Sequence, residues 1–440
     1  MSKRIKNPVR IVMLLILTAA VTLSFNMNAA ARQTPVRQTN YRTVTEIFDW
    51  GAASTKVIID LGKPVVQGSV SKDTFTVFVS RSDARIATPL LEEGYRTITK
   101  AYVSDRNGTP ALVGKYAVLE MEIGPNVSLS SPINYYEGFN SWIDYNYKIT
   151  QVKDIGFGPC KIKGLVVSKH AGETRKLVDD FSIGKSSYDD ITFTYADYKP
   201  SKDHKKNPLI IWLHGWGEGG TDATLPLSAN KSVNLSSKEI QSYFGGAYVL
   251  VPQANTYWMD GFTGIADGTS KYEKALMAFI KDYVSKNKDI DPNRVYIGGC
   301  SSGGYMTMLM IRDYPEYFAA AFPVCEGLID VLITDEQILK MKDVPIWFTA
   351  AKTDPTLPPA EFTTPTYERL IDVGAKNVCY TLFEDVHDTS GLYKNADGTA
   401  FEYDGHFSWI YVYNNECETT INGKTTTIME WLASMTLDNR

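Results

Sequence analysis

Among 440 residues there are only five cysteines and five histidines. The cysteines, Cys160, Cys300, Cys325, Cys379 and Cys417, nowhere fall into the close pairs that structural zinc sites use, so no metal centre is expected. Positive charge is also scarce: 45 Lys and Arg face 50 Asp and Glu, a net charge of −5. An acidic chain lacks the basic footprint that grips phosphate, which excludes a nucleic-acid partner. The apolar run Ile11 to Phe25 is shorter than the ~20 residues of a spanning helix, so a stable membrane span is not expected.

That run instead follows a basic start, Lys3, Arg4, Lys6 and Arg10, and precedes the small residues "NAAAR". The order is that of a secretory signal, read here as residues 1–31, which places the protein outside the cell or in the periplasm. Residues 1–31 carry four of the basic residues and no acidic one, so cleavage would take the net charge from −5 to −9. No cysteine lies near the cut, which argues against a lipid anchor. With 44% hydrophobic and 22% charged residues the remainder reads as an ordinary folded protein, too long for one core.

Two rhythms divide it. From about residue 43 to about 163 the pattern has period two, as in "DTFTVFV" and "KYAVLEMEI", with turn signals such as "DRNGTP" between. Short strands without an amphipathic helix predict an all-β, immunoglobulin-like sandwich over residues 32–170. From residue 171 to 440 the apolar runs "PLIIWLHG", "AYVLVPQ", "RVYIGG", "AAAFPVCE", "PIWFTAAKTD" and "VCYTLFED" are continuous and alternate with helical patterns. Continuous runs fit strands buried on both faces, so this half is predicted to be α/β, a doubly wound, mostly parallel sheet. One helix, "SKYEKALMAFIKDYVSKN", has Ser270 and Glu273 at capping-box spacing; another, "TIMEWLASM", begins at Thr427.

The chemistry gathers at "GGCSSGGYM". Gly299, Ser301 and Gly303 fit G-x-S-x-G between an expected strand and an expected helix, the setting of a nucleophile elbow, and the register selects Ser301 rather than Ser302. The turn "LHGWGEGG" after an earlier strand is suited to an oxyanion hole built from the N–H groups of Trp216 and Ser302. Asp354, after "PIWFTAA", stands where the orienting acid belongs, with Asp385 and Glu326 as alternatives. His387 and His406 both follow in the required chain order, and position alone slightly favours His387. Trp258 and Tyr305 are candidates for an acyl or aromatic pocket, and Tyr135, Tyr136 and Trp142 for exposed aromatics of the sandwich.

The blocks "IIWLHGWGEGG", "DIDPNRVYIGGCSSGGYMTMLMI", "PIWFTAAKTDP" and "GHFSWI" resemble secreted α/β-hydrolase-fold esterases with an immunoglobulin-like domain in front, of the feruloyl-esterase-like and prolyl-oligopeptidase-family group. The resemblance spans residues 180 to 440 and implies an α/β-hydrolase domain and a carboxylic-ester hydrolase without cofactor. Its substrate would be a small-molecule or polysaccharide-linked ester, such as a feruloyl or acetyl ester of plant cell walls. It moves the base to His406, through Gly405, His406 and Trp409. By the same resemblance, Cys300 beside the serine could be tied to Cys417. A peptidase, a polyester depolymerase and a non-catalytic adhesion module are the competing readings.

Overall fold

The computed structural model describes residues 39–156 and 161–439, so the expected signal segment and Cys160 lie outside the described residues. In the first half, hydrophobic alternation becomes two facing sheets. One has five strands, in the order His170–Arg175, Tyr41–Phe48, Gly51–Val66, Val113–Met121 and Ile98–Ser104. The other has four: Val166–Val167, Asp144–Gln151, Phe75–Ser82 and Leu90–Arg96. Phe75, Val77 and Val79 point inward to meet Val57, Ile59, Ala117, Leu119 and Met121 from the opposite sheet, as the period-two pattern requires.

The buried Arg96 crosses this core and donates to the carbonyls of Leu129, Ser54 and Glu122 and to the hydroxyls of Tyr145 and Tyr147. A cation so placed is tolerable because both terminal nitrogens are matched, although Nε has no partner among the described residues. The strand His170–Arg175 runs parallel to Tyr41–Phe48, so the sandwich sheet reaches past residue 170.

The second half is an eight-stranded sheet in the order Ser182–Tyr188, Ile191–Tyr198, Tyr248–Gln253, Asn207–Leu213, Ile290–Cys300, Ala320–Val324, Ile346–Ala351 and Val378–Phe383. The six continuous apolar runs form its six parallel strands. The two strands at the other edge pair antiparallel and were not among the expected runs, because neither is buried throughout. This is the α/β-hydrolase arrangement, with one apolar cluster packed on each side of the sheet. Among the described residues no helix is long and apolar enough to cross a membrane.

Two expected helices form, one differently capped. Helix Ile428–Ser434 is capped by the Thr427 hydroxyl, which accepts from Glu430 N. Helix Glu273–Lys286 has no side-chain cap; Ser270 Oγ accepts from Tyr272 N and the capping box is not made. Burial of Ser270 locks its hydroxyl into a turn one step before the helix.

The element that positions the chemistry is the junction between strand Ile290–Cys300 and helix Ser302–Asp313. A side chain on Gly303 would put its Cβ 1.9 Å from the carbonyl oxygen of Leu213. Gly299 meets the same oxygen at 2.6 Å, and Gly304 meets the Glu326 backbone at 2.7 Å. The helix thus enters against the end of strand Asn207–Leu213 with no room for a methyl group. Gly303→Ala is expected to destabilise the protein by about 3 kcal/mol, at the upper end of overpacking costs, read as a fall in the urea midpoint. An unchanged midpoint would mean that helix and strand end are not in contact.

Candidate active site

Ser301 lies at that junction with φ 54 and ψ −114, a conformation that non-glycine residues rarely adopt. Its N–H donates to Val324 O and its carbonyl accepts from Tyr305 N, so strand and helix hold it from both sides. Behind it, the first-turn N–H of Ser302 has no intrahelical acceptor.

The turn after strand Asn207–Leu213 lies next to it. His214 is buried: Nδ1–H donates to Gly215 O at 2.6 Å and Nε2 accepts from Ala254 N at 3.0 Å. Burial lowers its pKa to about 4, which keeps the ring neutral and suited to these two bonds. Trp216 follows in a short 3-10 turn, its ring stacked on Tyr257 at 3.6 Å. Trp216 opens its 3-10 turn and Ser302 opens its helix, positions whose N–H groups have no acceptor within their own element.

Asp354 comes after strand Ile346–Ala351 with its carboxylate wholly removed from solvent. Oδ1 accepts from the N–H groups of Thr356 and Leu357 at 2.8 and 2.9 Å, and Oδ2 accepts from His406 Nδ1 at 2.8 Å. Bonding at Nδ1 leaves Nε2 as the free nitrogen of the imidazole. The Gly405–Phe407 turn that carries His406 is capped by Asp404, whose Oδ1 accepts from His406 N at 2.8 Å. Gly405 approaches so closely that its Cβ would lie 2.4 Å from the Thr353 carbonyl group. Trp409 meets the imidazole edge-on at 5.4 Å.

Ser301 and His406 open onto one cavity of about 650 Å³, together with Gly215, Trp216, Glu218 and Met259. Asp354 supports it from behind. The other histidine, His387, is 45% exposed at its side chain; it bonds Asp385 at 2.5 Å and does not line the cavity. Glu326 is fully buried, with Oε2 accepting from Leu328 N.

Several expectations are corrected. Trp258 is wholly buried among Phe193, His214 and Tyr272, and Tyr305 is buried with its hydroxyl bonded to Gly268 N and Thr269 O. Neither reaches the cavity, because core packing claims both rings. Cys300 and Cys417 are free thiols. Cys300 packs near Gly215, while Cys417 Sγ lies 3.5 Å from Thr349 Oγ1. Trp142 is half-buried and donates to Thr224 Oγ1 at 2.8 Å.

Other features were not read from the sequence. Cys325, with φ 34, has its sulfur in a cluster with the Asp354 and His406 donor atoms spanning at most 4.8 Å; the carboxylate and imidazole there are already bonded to each other. The cavity is also walled by Asp49, Trp50, Tyr135 and Asn140 of the sandwich. No local pattern marks those four, since their role depends on how the sandwich packs.

Burial raises the Glu326 carboxyl from its ordinary 4.5 to about 8. The unfolded chain releases this proton from pH 4.5 upward, whereas the folded chain keeps it to about 8, so stability falls through that window. Glu326→Gln is expected to flatten the decline in urea midpoint between about pH 5 and about pH 8. Equal slopes for variant and wild type would contradict the assignment.

Comparison with known proteins agrees with this architecture. Residues 40–157 match the family described as Esterase Ig-like N-terminal domain, and residues 272–362 match the Prolyl oligopeptidase family. A solved structure titled as a thermostable esterase superposes with a TM-score of 0.74 at 27% identity, covering 90% of this chain and 99% of the other. Poly(3-hydroxyalkanoate) depolymerase C of Paucimonas lemoignei is 46% identical over 133 residues, 29% of this chain and 30% of that protein. Feruloyl esterase B of Neurospora crassa is 28% identical over 163 residues, 37% of this chain and 52% of that protein. The chain thus matches about a third to a half of the length of these two curated relatives. The front of the chain is thus similar to the immunoglobulin-like domain of esterases and part of its α/β-hydrolase half to the prolyl oligopeptidase family, in an architecture shared with an esterase of known structure.

Proposed function

We propose that this protein hydrolyses carboxylic esters through an acyl-enzyme, with Ser301 as nucleophile, His406 as base and Asp354 as the acid that orients it. The observation that carries this reading is the strained, strand-to-helix placement of Ser301 on the same cavity as an imidazole whose Nδ1 is held at 2.8 Å by a buried carboxylate.

Ser301 Oγ attacks the ester carbonyl while His406 Nε2 takes its proton. Asp354 stabilises the resulting imidazolium and fixes its orientation. The N–H groups of Ser302 and Trp216 receive the oxyanion; each such donor contributes about 2.7–4 kcal/mol to the transition state. His406 then protonates the leaving alcohol, and a water deprotonated by His406 releases the acid.

Ester chemistry is favoured over peptide cleavage by the esterase-type front domain and by the thermostable esterase that aligns over 90% of this chain. A polyester substrate is the second reading, because the Paucimonas lemoignei depolymerase is the relative of higher identity. The recessed cavity favours a soluble or polysaccharide-linked ester, including feruloyl and acetyl esters of plant cell walls, over a solid surface. Residues 1–31 serve as an export signal, followed by the sandwich, which extends through strand His170–Arg175, and then by the hydrolase domain, whose sheet begins at Ser182.

A fluorophosphonate probe is expected to label the wild type stoichiometrically and Ser301→Ala not at all. Asp354→Asn is expected to lower kcat on a short p-nitrophenyl ester by on the order of 10³–10⁴-fold, by analogy with other triads. Methyl ferulate, acetylated xylan, a polyester film and a proline peptide, assayed in parallel, separate the substrate classes. Equal labelling of Ser301→Ala would overturn the assignment.

A further inference from the structure

The sandwich sends one hairpin, strands Ile133–Tyr136 and Phe139–Trp142, onto the turn between His214 and Gly220. Its tip, Glu137 and Gly138, has φ 48 and φ 88, the left-handed pair of a tight hairpin turn. Gly138 sits against the Trp216 indole: its Cβ would lie 3.3 Å from Trp216 Nε1. A side chain on Gly217 would meet Asn140 Nδ2 at 2.9 Å and the Tyr135 ring at 3.2 Å. A side chain on Gly219 would meet the Phe139 ring at 3.2 Å. The glycines of "GWGEGG" therefore accommodate a neighbouring domain as well as a turn.

At the centre of this contact Asn140 Nδ2 donates to Glu218 Oε1 at 3.1 Å. Glu218 is 3% exposed, its other oxygen is folded beneath Gly215, and the Asn230 side chain and the Gly215 backbone also bear on the carboxyl as hydrogen-bond partners. The Glu218 carbonyl is fixed separately by Gln253 Nε2 at 2.8 Å. Burial raises the Glu218 carboxyl to about 7, so near neutrality a substantial fraction is uncharged. The hairpin is itself fastened to the sandwich. Arg85 donates to the Phe139 and Asn134 carbonyls at 2.9 and 3.0 Å, and Asp83 binds both Arg85 and the Asn134 amide. A chain of contacts thus runs from the sandwich through Arg85, the hairpin, Asn140 and Glu218 to Gly215 and Trp216.

We propose that the sandwich hairpin is a positioning element for the oxyanion turn, acting through the Asn140–Glu218 hydrogen bond to hold the Trp216 N–H on the developing oxyanion. The inference rests on the ester-hydrolase reading above. Misplacing a catalytic group by ~1 Å can cost about 10²-fold in rate, so loss of this bond acts on the transition state more than on substrate binding.

The test is a double-mutant cycle on a short p-nitrophenyl ester, with Asn140→Ala, Glu218→Ala and the pair, each checked for folding by circular dichroism and a thermal melt. Either single change is expected to lower kcat by about 10-fold or more with KM within about 2-fold. The pair should lose little beyond either single, because both remove one interaction. Affinity for a boronic-acid transition-state analogue should fall by the same factor as kcat. Glu218→Gln, which keeps an acceptor for Asn140, should recover most of the loss seen in Glu218→Ala. Asn140→Ser, too short to reach Glu218, serves in place of Asn140→Ala if that variant does not fold.

Additive losses, a change confined to KM, or an unaltered kcat in Asn140→Ala with an active wild type would overturn this proposal alone. A wild type inactive on every ester tested would overturn the ester-hydrolase reading and this inference with it.

Discussion

The steric contact on which the site depends is between two pieces of backbone. Helix Ser302–Asp313 starts so close to the end of strand Asn207–Leu213 that Gly303 could not carry even a methyl group. Because strand Ile290–Cys300 must turn into that helix within one residue, Ser301 is pushed to positive φ. The strain is held by a backbone bond on each side, from Ser301 N to Val324 O and from Tyr305 N to Ser301 O. The same approach brings the first-turn N–H groups of the helix beside the turn that carries Trp216. Ser301 and the N–H groups of Ser302 and Trp216 are therefore placed together by one packing event.

Around this contact the molecule supplies two further supports. On the carboxyl-terminal side, the buried Asp354 accepts two backbone N–H groups as well as His406 Nδ1, so its charge is compensated before the imidazole arrives. On the amino-terminal side, the sandwich contributes cavity wall and, through its hairpin, packs on the turn that carries Trp216. A domain that sequence marks only as a separate immunoglobulin-like unit is in the structure part of the site's enclosure.

The difference between what could and could not be read follows from the range of each signal. The parallel strands were legible because burial on both faces writes a continuous apolar run. The elbow was legible because the close approach excludes side chains and so writes glycines around Ser301. The choice between His387 and His406 was not local: position after a strand favoured His387, whereas in the structure that residue bonds the exposed Asp385 away from the cavity. Resemblance to known esterases, not the residues alone, pointed to His406. It misled for Cys300 and Cys417, which remain free thiols in separate packing environments. Trp258 and Tyr305 misled for a different reason, since large aromatics near a catalytic strand are claimed by the core as readily as by a pocket. Glu218 and Asn140 were missed because their partnership joins residues 78 positions apart.

The central claim, that the Ser301 oxygen is activated by the imidazole held on Asp354, is tested most directly by the rate at which a fluorophosphonate labels Ser301 in His406→Ala and His387→Ala. The account predicts that labelling falls by orders of magnitude in His406→Ala and stays near the wild-type rate in His387→Ala. The reverse pattern, or undiminished labelling in His406→Ala, would contradict it.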